Sequence, residues 1–278
     1  HASEPLQDGV LVASLTAENL RDRAAVAGAL GRVLDKVGRP RRIGLIVPDP
    51  VARVSLVRFE QVPADTRDLD QLIRWQARKS APFPIESAQV SYVAGERTAE
   101  GQEFVVTLAR QDIVREYETL CEAAGTQAGI VDISTFNVIN AALASGPAAG
   151  DWLLVNVAAD YASMAILRGQ QLIFFRTRGA EAEETLGDLV HQTAMYYADR
   201  LGGTGFDRVL LSGASTAGDG QAAEIEQIRR MLDQRIGVSV ETVDARAGAG
   251  LTDRISASPA LLDTLAPLVG LLLRGQAA

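Results

Sequence analysis

The sequence predicts an α/β protein built from two related lobes, and three observations predict it. The first is the stretch Gly150–Gly179, which reads as three consecutive strands: apolar runs Trp152–Val157, Ala162–Leu167 and Leu172–Phe175, with a tight turn at Arg168-Gly169-Gln170. Continuous runs of Val, Ile, Leu and Phe bounded by glycines suit strands covered on both faces. The second is the order of elements after these strands: an amphipathic helix Glu181–Leu201, a strand Arg208–Leu211, a helix Ala222–Arg235, a strand Val238–Val243 and a helix Pro259–Leu273. The third is that the first half of the chain repeats most of this order around an insertion.

Three antiparallel strands feeding alternating helix and strand is the order of the ribonuclease-H-like unit, which the actin-like ATPase fold carries in duplicate. In the first half, a strand Val10–Ala13 leads to a helix Leu20–Val37, whose buried stripe is Val26, Leu30, Val33, Leu34 and Val37 and whose start carries Asn19 and Asp22 as a capping pair. Gly38 and Pro40 end it, and Arg42–Pro48 is a buried strand. Only one strand precedes that helix, whereas three precede its counterpart. If the halves are duplicates, the first hairpin of the N-terminal half lies upstream of His1.

Between that buried strand and the next core strand, Gly129–Ile133, lies an α+β insertion. It comprises a strand Val54–Phe59, a helix Thr66–Lys79 capped by Asp65, strands Gln89–Val93 and Phe104–Leu108 around a polar turn Gly95–Gly101, and a helix Asp112–Ala124 closed by Gly125. The second helix must stop before Pro82-Phe83-Pro84, because proline disfavours helix at the residue before it. Ser134 starts a helix through Leu143, and Ala144–Gly150 is a small-residue linker. The expected division is therefore 1–50 with 125–149 as the first core, 51–124 as the insertion and 150–278 as the second core.

Composition excludes several functions. At 278 residues and 47% apolar, the chain is large enough for more than one packed unit. A net charge of −8 without a basic cluster argues against nucleic acid, since phosphate binding needs a positive field. The single cysteine, Cys121, falls on an apolar helix face and reads as a buried structural thiol. No apolar run reaches the roughly 18 residues of a membrane span. His191 has no partner with metal-ligand spacing, Ser134 and Ser212 sit in no nucleophile elbow, and Arg39-Pro40-Arg41-Arg42 reads as a solvated loop. The acidic run beginning at Glu181 reads as favourable charge at a helix N-terminus.

Several motifs taken together resemble a known family. Ile73-Arg74-Trp75-Gln76-Ala77, then Ala81-Pro82-Phe83-Pro84-Ile85 and Val90-Ser91-Tyr92, are similar to the helix, "PFP" corner and following strand of the type IV pilus assembly protein PilM family, relatives of the cell-division protein FtsA. Val131–Phe136 resembles that family's interdomain segment, Leu210–Ala214 its adenosine loop, and Ala266–Gly275 its final helix. The resemblance implies an actin-like fold with an FtsA-type inserted subdomain. It also implies a place at the cytoplasmic face of the inner membrane, a cleft for the cytoplasmic N-terminal peptide of PilN, and a link to the pilus motor ATPases. The residues expected to line that cleft are Trp75, Phe83, Pro84, Ile85, Arg53 and Arg58.

The competing reading is ATP binding or hydrolysis, which the actin-like fold permits. That chemistry needs hairpin carboxylates to organise Mg²⁺ and water, and glycines that let backbone amides approach phosphate. The second hairpin carries Asn156-Val157-Ala158 where Asp-Ile-Gly is needed. Asn lacks the charge, Ala158 adds a methyl group, and an Asp at position 160 is more often turn chemistry than a ligand. On the adenine side Gly213 is followed by Ala214 and Ser215 instead of glycines, and the small helical subdomain ahead of the long helix is reduced. No enzyme activity, cofactor or metal is expected from this chain, beyond weak ATP/Mg binding. The cytoplasmic part of the type II secretion protein GspL shares the expected architecture and is the other alternative.

Overall fold

The computed structural model describes residues 1–144, 146, 150–179, 182–214, 226–227, 229–230, 232–234, 237–249 and 258–274. The chain divides into two compact units, His1–Ile133 and Ser134–Ala278. The break thus falls before the helix at Ser134 and not in the Ala144–Gly150 linker, most of which lies outside the described residues.

In the first unit, β1 (Arg42–Val47) pairs in parallel with β5 (Gln127–Ile133), from Arg42↔Gln127 to Val47↔Ile133 with a one-residue register shift between Ile43 and Gly44. Between them in sequence, β2 (Ala52–Phe59), β3 (Ala88–Thr98) and β4 (Gly101–Arg110) form an antiparallel sheet in the order β2-β4-β3. Helix α2 (Thr66–Ala77) lies on one face of it. Asp65 caps α2 as expected, accepting from the backbone N–H groups of Arg67 at 2.8 Å and Asp68 at 3.3 Å. Ile73 and Ala77 point down onto Ala88, Val90, Phe104, Val106 and Leu108 to make the insertion's core. The β3–β4 hairpin runs further than alternation suggested, to Thr98↔Gly101, so the polar turn shrinks to its tip. Gly101 sits there at φ 137°, and a Cβ on it would stand 2.3 Å from the carbonyl oxygen of Phe59.

The N-terminal segment departs from the sequence reading. No strand forms at Val10–Ala13; a single bridge, Leu11↔Leu20, is present. Helix α1 starts at Arg23 and runs to Lys36, capped by Asp22, which accepts from Ala25 N–H at 2.9 Å. The Asn19 carbonyl, which a helix starting at Leu20 would use, accepts instead from Val12 N–H at 2.9 Å, and the loop ahead of α1 is anchored on α3 (Gln111–Ala123). Glu116 on α3 is buried and accepts from the N–H groups of Asn19 at 3.0 Å and Leu20 at 2.6 Å. Asn19 therefore holds the preceding loop, through Ser14 and Ala17, and does not cap the helix. Val37, expected in the stripe, is exposed because it is the C-cap residue. On α3, Ile113, Tyr117, Leu120 and Cys121 face inward, Cys121 as expected, while Val114 is half-buried, and burial pushes the Cys121 thiol pKa up.

The second unit contains a five-stranded sheet in the order β10-β9-β6-β7-β8. Strands β6 (Asp151–Val157), β7 (Tyr161–Arg168) and β8 (Gln171–Gly179) form the antiparallel meander. Strands β9 (Arg208–Ser212) and β10 (Val240–Thr242) run parallel to β6. This is the ribonuclease-H-like strand order. Leu154, Val155, Met164, Ala165 and Ile166 are all fully buried, which is why their segments read as unbroken apolar runs.

Helix α5 (Leu186–Arg200) starts later than Glu181, because Thr185 and Asp188 form a capping box that fixes its first turn. Glu184 is drawn instead to Arg176, at 3.2 Å. Parts of the expected helix Ala222–Arg235 lie outside the described residues; 226–227, 229–230 and 232–234 are helical. A short helix α6 (Arg246–Ala249) was not expected. Helix α4 (Ser134–Ala144) packs along α7 (Pro259–Arg274) so closely that a Cβ on Gly270 would stand 1.7 Å from the carbonyl oxygen of Asn137. That contact places α4 in the second unit.

Candidate functional site

Two places carry the residues singled out by sequence. The first is at the carboxyl ends of β6 and β9, where an open α/β sheet offers its loops to a ligand. Asn156, the last polar residue of β6, is 4% exposed. Its side-chain amide donates to Thr135 Oγ1 at 2.8 Å and Ser134 Oγ at 3.4 Å, so its donors are spent on the first turn of α4. The N–H of Ala158 donates to the carbonyl oxygen of Tyr161 at 2.9 Å, closing the β6–β7 turn, and Asp160 is half-buried within that turn.

Across from the turn, Gly213 has φ 82°, and a Cβ there would lie 1.8 Å from the carbonyl oxygen of Val157. Only glycine fits this approach. Its N–H donates to Asp263 Oδ1 at 2.8 Å, and the Ser212 hydroxyl donates to the same oxygen at 3.1 Å. Asp263, on α7, is 3% exposed. Ala214 packs against the second unit's core, and Ser215 lies outside the described residues. The polar groups of this corner thus satisfy one another, with a carboxylate on the glycine amide that a phosphate would otherwise meet. Among the described residues no group of three or more His, Cys, Asp and Glu side chains could hold a metal ion. His191 is exposed on α5.

The second place is the inserted sheet. Val57 and Phe59 of β2, Tyr92 of β3 and the corner residues Phe83 and Ile85 are half-buried against the core beneath α2. Pro84 is exposed, and a one-turn 3-10 helix (Ile85–Ser87) continues from it. Trp75 lies about 200° around the helix from the buried Ile73, counting about 100° per residue, and is 59% exposed. Its ring lies 4.2 Å from Lys79 Nζ. Trp75 and Phe83 are therefore not brought together into one pocket.

Arg53 and Arg58 are both exposed and both on β2, not one ahead of it, and they stand on opposite faces because side chains alternate along a strand. Arg58 pairs with Glu100 at 2.6 Å and approaches Glu103 at 3.7 Å; burial raises the pKa of the Glu103 carboxyl against the pull of Arg58. The face turned away from α2 carries Leu56 and Val93 opposite Val105, and Val93 is 60% exposed. Strands β2 and β3 each pair only with the central β4 among the described residues, leaving both outer edges open.

Sequence reasoning passed over Asp263 and Glu116. The signal for Asp263 was a lone carboxylate in the otherwise apolar run Leu261–Leu273; for Glu116 there was none.

Together the two units and their insertion define an α/β protein of the actin-like class. The model of the family described as type IV pilus assembly protein PilM matches residues 1–199, and the chain belongs to that family. A solved structure of a PilM–PilN type IV pilus biogenesis complex is similar over 99% of this chain and 90% of its own, with a TM-score of 0.75 at 20% identity. The cytoplasmic domain of EpsL, an inner-membrane component of the Vibrio cholerae type II secretion system, is more distantly similar (TM-score 0.45, 11% identity, 66% of each chain). So is a Bacteroides thetaiotaomicron protein of actin-like ATPase fold and unknown function (TM-score 0.44, 12% identity, 77% of this chain and 75% of its own). No curated protein sequence matches the chain. Among the described residues no helix is long and apolar enough to cross a membrane.

Proposed function

We propose that this chain is a non-catalytic adaptor of type IV pilus assembly, which binds the cytoplasmic N-terminal peptide of PilN and joins it to the pilus motor ATPases at the inner membrane. The observation that carries the non-catalytic half is the closed corner of the second unit. Asn156 bonds Thr135 and Ser134, while Asp263 holds Gly213 and Ser212. A triphosphate entering there would meet a buried carboxylate and a methyl-bearing turn in place of free amides and a metal-binding Asp.

The peptide-binding half rests on the inserted sheet. An extended peptide adds to an open strand edge through backbone hydrogen bonds, with pockets for alternate side chains. The outer edge of β2 presents Val54-Ser55-Leu56-Val57, half-buried and uncharged, between Arg53 and Arg58. Phe83, Pro84 and Ile85 form a rigid apolar corner at the same sheet's core.

Thermal-shift titrations of one sample with a PilN N-terminal peptide and with ATP·Mg²⁺ separate the readings, because a ligand of the native state raises the melting temperature. The adaptor reading expects a shift with peptide and none with nucleotide. Nucleotide stabilisation alone would overturn it. Phe83→Asp is expected to abolish peptide binding while circular dichroism stays native; normal binding by this variant would remove the corner from the site.

A further inference from the structure

The outward face of α2 is locally basic. In a chain of net charge −8, the segment 66–79 carries Arg67, Arg74, Arg78 and Lys79 against Asp68 and Asp70. Arg74 and Asp70 neutralise each other at 2.8 Å, and Asp68 sits near the helix N-terminus, where a carboxylate is favoured. Arg67, Arg78 and Lys79 are exposed and form no ion pair among the described residues. Trp75 stands among them, one turn before Arg78 and Lys79, with Lys79 over its ring. The opposite side of α2 is committed to the insertion's core through Ile73 and Ala77, so this face is fixed outward.

We propose that this ridge is a contact for an anionic lipid surface, with Trp75 entering the headgroup layer and Arg67, Arg78 and Lys79 meeting lipid phosphates. Charge complementarity argues for an acidic surface. Size argues for a membrane over a protein. From Arg67 to Lys79 the ridge is about 18 Å long and about 10 Å wide, at about 1.5 Å per residue. That is about 200 Å², far short of the roughly 800 Å² each partner gives to a stable protein interface. A lipid surface needs no such area: basic side chains bind it additively, and tryptophan partitions into the interface because its ring is apolar and its N–H polar. The assignment rests on α2 alone and is independent of where PilN binds.

The chain reports on this contact without labelling. It has two tryptophans, and Trp152 is 2% exposed, with its indole N–H donating to Gly169 O at 2.8 Å. A change in emission on vesicle binding therefore comes from Trp75. With phosphatidylcholine vesicles containing phosphatidylglycerol, Trp75 emission is expected to shift blue and become protected from acrylamide, reversibly with added salt; phosphatidylcholine alone should leave it unmoved. Arg67→Gln with Arg78→Gln should weaken partitioning by about thirtyfold. Trp75→Ala, whose partitioning is read by co-sedimentation with the vesicles, should also bind more weakly than the wild type, with Trp152 emission showing that the fold is kept. Emission that ignores both vesicle types overturns the proposal, as does binding that the double variant leaves intact. A shift with polyglutamate but none with vesicles would make the occupant an acidic polypeptide and also overturn it.

Discussion

The five-stranded sheet of the second unit and the inserted sheet of the first use the same kinds of residue to opposite ends. In the second unit β6 and β7 are covered on both faces, and the polar groups at their ends bond inward: Asn156 to Thr135, Gly213 and Ser212 to Asp263, and the Tyr197 hydroxyl to Asp151 Oδ2 at 2.9 Å and Gly205 O at 2.8 Å. In the inserted sheet one face is covered by α2, the other shows Val93 to solvent, and both edges are unpaired among the described residues. At β6 and β7, covered on both faces and with the polar groups at their ends satisfied, the sheet offers a partner little, although its outer strands β8 and β10 also keep an unpaired edge among the described residues. A sheet half covered keeps backbone donors, acceptors and apolar side chains in reach of one. Interaction is thus expected from the insertion, and rigidity from the second unit.

Substitutions that separate the two regions make the contrast quantitative. Leu154→Ala, at a fully buried position, is expected to destabilise by about 3 kcal/mol in urea unfolding, from lost apolar transfer and the cavity left behind. A value under about 1 kcal/mol would mean that the central sheet relaxes as readily as a surface. Asp263→Ala removes the acceptor for a backbone N–H and a hydroxyl in a buried corner and should destabilise by about 2 kcal/mol. The same variant with wild-type unfolding would show the closed corner to be loosely held.

Tyr197→Phe should cost about 1 kcal/mol by the same reasoning and adds a pH signature. Burial, then the Asp151 carboxylate, raises the Tyr197 pKa to about 12. Its contribution is whole below the ordinary tyrosine range and lost as pH rises through 12. Asp151 runs the other way. The Arg168 guanidinium first, then the Tyr197 hydroxyl, hold its pKa below the usual carboxylate range, so its contribution is whole above that range and lost as pH falls through the depressed value. Stability measured from acid to alkali should decline at both ends in the wild type and flatten at the alkaline end in Tyr197→Phe. At the bottom of the scale, Val93→Ser on the open face should change unfolding by less than about 0.5 kcal/mol; a large effect would show that face to be covered.

The sequence by itself determined the elements whose signals are local. The strands β6, β7 and β8 were legible because burial on both faces leaves no polar interruption, and α2 because Asp65 caps it and Pro82 forbids its extension. The meander followed by alternating helix and strand was enough for the fold class, and the Asn156 and Ala158 departures were visible as residue types alone. Only the tertiary structure decided the rest. The loop ahead of α1 is anchored at Asn19 and Leu20 by a carboxylate 97 and 96 residues away in the chain. The start of α5 moves to Leu186 because two short side chains close a capping box there. Trp75 and Phe83 look interchangeable in sequence, yet one faces solvent beside Lys79 and the other packs on the insertion's core. Asp263 turns from an interruption in an apolar helix into the acceptor that holds a glycine loop. The capping box is the exception, since Thr185 and Asp188 are three residues apart and the motif is local; in the other cases the decision rests on packing and on partners distant in the chain, which the spacing of neighbouring residues does not record.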